Sequence, residues 1–142
     1  MSLFVVDASV VIKWFVPEVH SDAARRLLEQ DRDYAAPDLL FAETANIVWK
    51  KSRRGEMSPA DARQLVTDIG RIAVEAVSCR ALAEDAHTLA QATGPTAYDS
   101  MYLALAVRLE TRLITADERL VAGVAAIRAL AAHIQHVAAF AG

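Results

Sequence analysis

Four of the eighteen acidic residues stand where an acid needs explaining: Asp7, Glu43, Asp99 and Asp117. Asp7 follows the apolar residues of LFVVDAS (3–9), a run that fits a strand buried on both faces. It would lie at the strand's carboxyl end, the edge where open α/β sheets bind ligands. Asp117 repeats the arrangement, two residues past Thr115 at the end of RLITA (112–116). Glu43 falls in a helix-patterned segment, where spacings of three and four put it on one face with Leu39, Leu40, Asn46 and Ile47. Asp99 likewise shares a face with Tyr102, Leu103 and Ala106. Each acid alone has a plain structural account. Asp7 serves as a turn or cap residue, Glu43 pairs with an arginine, Asp99 completes a capping box three residues after Thr96, and Asp117 is an N-cap. The other account is that all four enter one crevice, and their joint arrangement is much harder to attribute to capping.

Carboxylates brought together need a counter-charge, since two unit charges ~4 Å apart repel by ~4 kcal/mol at an effective dielectric of about 20. Either protons or a cation must neutralise them. The chain has no cysteine or histidine cluster to recruit a softer metal, and all-oxygen ligands suit Mg²⁺ or Mn²⁺. Such ions bind through a few carboxylates plus substrate phosphates, which points to phosphodiester chemistry. Other mechanisms lack their parts. His133 and His136, three apart in an expected strand, face opposite sides of the sheet, and His20 and His87 read as surface residues. There is no Gly-x-Ser-x-Gly elbow and no Gly-rich phosphate loop, and Cys79 has no evident base and reads as a small core residue.

The elements that must position these acids follow from pattern. After the first strand, 10–16 reads as a short helix stopped by Pro17, and Ser21 caps a second running to about Gln30. A turn at 31–33 leads to a strand at 34–36. Asp38 caps a helix over 38–54 whose basic tail, Lys50, Lys51, Arg53 and Arg54, precedes Gly55. This tail is either a set of contacts to substrate phosphates or a solvated helix end. Ser58 and Pro59 start a helix to about Gly70, and 72–77 is a strand near the sheet edge. Helices over 80–93 and 96–110 precede the RLITA strand. Asp117 then opens an Ala-rich segment to about Ala132, and 133–140 is a last strand. This succession implies an α/β protein with a parallel sheet and helices on both faces.

At 142 residues the chain reads as a single domain, 1–142. One cysteine excludes an internal disulfide and any zinc site of several thiolates. The N-terminal apolar stretch is broken by Asp7 and Lys13 and has no basic region before it, so neither a signal peptide nor a membrane span is expected. The expectation is a soluble cytoplasmic protein. A net charge of −3 argues against a simple basic DNA-binding module. It leaves nucleic acid open as a substrate, because a carboxylate site contributes to that count.

The segments VVDASVVIKWF, APDLLFAETANIVWK, TAYDSMYLALA and LITADERL together resemble PIN-domain ribonucleases, specifically the toxin component of VapBC-type toxin–antitoxin pairs. They occur in the family's order and span nearly the whole chain. The resemblance implies a three-layer α/β/α sandwich around a parallel sheet and a Mg²⁺- or Mn²⁺-dependent endoribonuclease. It implies a metal site of Asp7, Glu43, Asp99 and Asp117, with Ser9 and Thr115 as hydroxyl support. It also implies a homodimer and a cognate antitoxin that blocks the acids. The final Ala-rich stretch departs most from the family's pattern.

Water attack on phosphorus would leave a 5′-phosphate, unlike His-based ribonucleases that use the RNA 2′-hydroxyl. Rival readings are a catalytically inactive RNA-binding or antitoxin-sequestering module of the same fold, and a nuclease acting on DNA or in RNA processing without an antitoxin. A receiver-like signalling module would need a lysine late in the sheet, and the only lysines are Lys13, Lys50 and Lys51.

Overall fold

Val5 and Val6 are wholly buried in the central strand of the sheet, as an unbroken apolar run requires of a strand covered on both faces. The computed structural model describes residues 2–140. In chain order it contains β1 (Ser2–Val6), α1 (Ala8–Phe15), α2 (Ser21–Leu28), β2 (Arg32–Pro37), α3 (Leu39–Arg53), α4 (Pro59–Ile69) and β3 (Val74–Val77). There follow α5 (Cys79–Thr93), α6 (Ala97–Arg108), β4 (Leu113–Thr115), α7 (Glu118–Ala125) and β5 (Ile134–His136). All strand pairs are parallel, in the order β3-β2-β1-β4-β5.

This order fixes where a ligand can enter. From β1 the chain moves outward through β2 to β3, then returns across to β4 and β5 on the other side. Right-handed crossovers in opposite directions place their helices on opposite faces. Accordingly α1 packs on α2 and α3, and α3 on α4, while α5 packs on α6 and α6 lies on β1 and β2. The result is an α/β/α sandwich. Its strand order reverses between β1 and β4, so the crevice opens at their carboxyl ends, next to Asp7 and Asp117.

Several local expectations change for identifiable reasons. Helix α1 begins at Ala8, because Asp7 is itself the N-cap and accepts from the Val10 N–H. Ser21 does not cap α2. His20 holds that position with a left-handed φ of 68°, and the Ser21 hydroxyl closes the Pro17 turn, accepting from Glu18 N–H (2.8 Å) and donating to the Val16 carbonyl (3.0 Å). Asp38 makes no cap bond, and its Oδ1 accepts the Cys79 N–H at 3.0 Å, tying the start of α3 to the start of α5. Cys79 is thus half-buried at a helix start and not a core residue.

Helix α7 stops at Ala125, and the expected strand over 133–140 contracts to Ile134–His136 between the 3₁₀ turns Ala131–His133 and Val137–Ala139. Side chains compete with the ladder there: His136 Nδ1 accepts the Ala138 N–H at 3.0 Å, and Gln135 Nε2 donates to the Ala139 carbonyl at 3.1 Å. Among the described residues no helix is long and apolar enough to cross a membrane.

Candidate active site

Asp7 is buried at the end of β1 and its carboxylate is held from three directions. Oδ1 accepts the Ser9 hydroxyl at 2.6 Å and the Val10 N–H at 3.3 Å, and Oδ2 accepts the Thr115 hydroxyl from the end of β4. Those two hydroxyls are themselves oriented by backbone. Ser9 Oγ accepts the Ala116 N–H at 2.9 Å, and Thr115 Oγ1 accepts the Asp117 N–H at 3.1 Å. A hydroxyl has one proton to give, so both protons point at Asp7 and the 3.4 Å contact between the two oxygens carries none. Ser9 and Thr115 therefore relay the β4–α7 backbone dipoles onto one carboxylate.

The remaining acids come from helices and from the end of β4. Glu43, on α3, accepts the Tyr102 hydroxyl at 2.5 Å. Asp99 lies in the first turn of α6, whose cap is Thr96: the Asp99 N–H donates to Thr96 Oγ1 at 3.2 Å. Asp117 caps α7, with Oδ1 accepting the Leu120 N–H at 3.0 Å.

Electrostatics link the four. Burial raises the Asp7 pKa from 3.8 to about 6; the hydrogen bonds from Ser9, Thr115 and Val10 pull against it, and the charge of Glu43 adds to it. Burial also raises Glu43, opposed by the Tyr102 hydrogen bond and reinforced by Asp99. Asp99 is raised by burial and then by Asp117, against its bond to Thr96. Asp7 thus feels Glu43, Glu43 feels Asp99, and Asp99 feels Asp117. Their oxygens nevertheless do not form a closed cage, since no three of them lie mutually within 4.8 Å. The donors are all oxygens and carry more negative charge than their surroundings neutralise. That fits a hard divalent cation that keeps part of its shell for water or phosphate.

Two features escape a reading of the sequence. The expected alternative for Glu43 is an arginine, but its partner is Tyr102, whose own pKa rises through burial and through the carboxylate it donates to. The available signal is that Tyr102 shares a helical face with Asp99. The second feature is a cavity of about 300 Å³ beside Ser9, lined by Lys13, Glu18, Lys50, Lys51 and Arg54 among others. Glu18 accepts from Lys13 (3.3 Å) and from the nearly buried Lys51 (2.6 Å). The basic tail of α3 is therefore only partly a solvated helix end: Arg53 stacks over Trp49 at 5.2 Å, while Lys51 turns inward.

His133 lies in the 3₁₀ turn before β5 and not in the strand that holds His136, so strand alternation does not separate the two. His133 Nδ1 meets the Thr111 carbonyl at 2.8 Å, away from His136. His20 is not a lone surface residue, because its ring packs edge-on against His136 at 5.1 Å and Glu118 completes a trio of possible ligands. His136 has both nitrogens engaged, Nδ1 with the Ala138 N–H and Nε2 with the Ala116 carbonyl at 3.3 Å. That is the environment of a structural histidine.

The family model of the PIN domain matches residues 4–126, a span that contains all four acids, Ser9 and Thr115. The chain belongs to the PIN domain family. Over 118 residues it is 35% identical to Ribonuclease VapC3 of Pyrobaculum aerophilum, covering 82% of this chain and 90% of that protein. The crystal structure of PAE2754, also from Pyrobaculum aerophilum, superposes with a TM-score of 0.70 at 23% identity, covering 96% of this chain and 85% of that one. A toxin–antitoxin complex from Klebsiella pneumoniae gives a TM-score of 0.59 at 19% identity, covering 87% and 92%. At these identities the two structures attest the PIN fold, and the VapC3 match extends the likeness to sequence.

Proposed function

We propose that this PIN-domain protein is a divalent-metal-dependent endoribonuclease, the toxin of a toxin–antitoxin pair. The observation that carries the reading is the chain of repelling carboxylates at the β1/β4 switch point, with Asp7 buried and Glu43 and Asp99 half-buried. Likeness to a protein named a ribonuclease supports RNA as the substrate. Asp7, Glu43, Asp99 and Asp117 hold the ion, Mg²⁺ or Mn²⁺. When bound, it supplies charge neutralisation and water activation for phosphodiester hydrolysis.

The protein's own groups do the positioning. A carboxylate offers about four acceptor sites; Ser9, Val10 and Thr115 occupy three on Asp7 and fix the direction of the fourth. Tyr102 holds Glu43 across from it. Lys50 and Arg54, in the cavity that reaches Ser9, bind phosphates flanking the scissile one. Attack by water on phosphorus expels the 3′-oxygen and leaves a 5′-phosphate. An antitoxin that covers the acids accompanies this reading, supported by the fold shared with the Klebsiella complex. So does a homodimer, for which the exposed Trp49 and Tyr98 supply apolar surface.

The test is cleavage of a defined single-stranded RNA by the purified protein with Mg²⁺ or Mn²⁺, with and without EDTA, beside Asp7→Asn and Asp99→Asn. Divalent-dependent cuts ending in 5′-phosphates, lost in both variants, are expected. Undiminished cleavage in EDTA or in Asp99→Asn would overturn the proposal.

A further inference from the structure

The amino edge of the sheet, remote from the acids, holds a second concentration of charge. The parallel register sets Ser2 beside Arg32 and Phe4 beside Tyr34, so these four residues share one face. Val6 pairs with Ile114, and Ile114 with Gln135, which puts Arg112 and Gln135 on that same face by alternation. The Arg32 guanidinium carbon lies 4.4 Å from the Phe140 ring centroid and 5.3 Å from that of Phe4; Arg112 lies 5.3 Å from Phe4 and 5.9 Å from Phe140. The rings meet edge to face at 5.4 Å. Two guanidiniums therefore crowd one aromatic pair.

Among the described residues neither arginine has a carboxylate within ion-pair distance. Arg112 Nη1 donates to Gln135 Oε1, whereas Arg32 Nη1 is buried with no acceptor among the described residues. Both arginines and Gln135 line a cavity of about 420 Å³ with Ser2, Phe4 and Phe140, and among the described residues no acidic side chain lines it. Contact with aromatic faces offsets part of the cost of holding two cations together. It does not satisfy a buried N–H, which is expensive to leave without an acceptor. A planar guanidinium fork is shaped for the paired oxygens of a carboxylate or phosphate, and one such group in the cavity would neutralise the pair and supply the missing acceptor.

We propose that Arg32 and Arg112, braced by Gln135 and the Phe4–Phe140 pair, form a binding site for a small oxyanion, a phosphate or carboxylate group, on the edge of the sheet opposite the carboxylates. The site stands whether or not the acids catalyse RNA hydrolysis. It is tested on the full chain in EDTA by following the thermal midpoint through titrations of inorganic phosphate and, separately, acetate, with ionic strength held constant by chloride. A ligand of the folded state raises the midpoint along a saturating curve, and the more effective anion identifies the group preferred. Arg32→Met and Arg112→Met should each weaken the fitted affinity about tenfold or more. Arg63→Met, which removes an exposed arginine on α4, should leave it unchanged. Should Arg32→Met fail to fold, Arg32→Lys keeps the charge and loses the fork, and a several-fold loss is still expected. A linear, unsaturable response to both anions in the wild type, or equal affinity in the arginine variants, would overturn the proposal.

Discussion

Replacing Asp7 with Asn should stabilise the ion-free protein at neutral pH while abolishing its stabilisation by divalent ions. The carboxyl moves from 3.8 to about 6 on folding, so the folded protein holds this proton more tightly than the unfolded chain. The contribution to stability is complete below the unfolded value and is lost as pH rises through about 6. At 1.36 kcal/mol per pKa unit, ionised Asp7 destabilises the fold by about 3 kcal/mol at about pH 7.5, and by about 1 at about pH 4.5. Asn removes that pH-dependent cost. Its amide group, however, must face the Ser9 or Thr115 hydroxyl where an oxygen now accepts, which forfeits one hydrogen bond worth about 1 kcal/mol. The net expectation in EDTA is a gain of about 2 kcal/mol at neutral pH that shrinks to about zero near pH 4.5. Urea unfolding at the two pH values, with EDTA and then with Mn²⁺, measures both effects. A stability difference between the two proteins that does not change with pH would refute the electrostatic argument. A Mn²⁺-induced shift preserved in Asp7→Asn would refute the assignment of Asp7 as a ligand.

Tyr102→Phe should cost about 1.5 kcal/mol or more by urea unfolding, because it strips Glu43 of a charge-assisted hydrogen bond in a half-buried setting. RNA cleavage should fall with it while far-UV circular dichroism is unchanged. Thr115→Val removes both the donor to Asp7 and the acceptor of the Asp117 N–H, with a loss of about 2 kcal/mol; Thr115→Ser should recover most of the stability and activity. Burial works against the Glu18 carboxylate, but the Lys51 hydrogen bond and the Lys13 and Lys51 charges bring its pKa below the ordinary 4.5. Its contribution is therefore present above that value and lost as pH falls through the folded one. Glu18→Gln, which takes the carboxylate from Lys13 and leaves Lys51 only its 3.6 Å contact with Glu56, should destabilise at neutral pH and cease to do so in acid, read from thermal midpoints across the range.

How far the structure could be read in advance depends on whether a residue's partner is local. Asp7, Asp117 and Thr115 were legible because an apolar run ending in a small polar residue and an acid defines a strand end on its own. Ser58 could be assigned as a cap because its acceptor role involves Asp61, three residues on. Asp38 and Ser21 have the same composition signals and behave otherwise. One is taken by Cys79, forty-one residues away, and the other by the carbonyl before Pro17. Tyr102 was visible only as a member of an inward face, since its partner Glu43 lies fifty-nine residues off. The pattern predicts too long a C-terminal strand because alternation in an Ala-rich stretch carries little hydrophobic contrast. There the side chains of Gln135 and His136 decide the backbone's course.

The choice first posed for each acid, cap or ligand, is therefore not exclusive. Asp7 caps α1 and Asp117 caps α7, each through its Oδ1, and capping uses only one of the lone pairs a carboxylate offers. A helix start favours an ionised acid, which keeps a buried carboxylate from simply neutralising itself. Hydroxyls and backbone N–H groups then supply Asp7 with enough stabilisation to fold, but not enough to return its pKa to the ordinary range. On the proposed reading, that residual instability is what a bound cation would relieve, regaining free energy that the protein alone leaves unsatisfied. Where capping satisfied the acids completely, the crevice would be more stable and would bind nothing. The raised Asp7, Glu43 and Asp99 show that this protein stops short of that point.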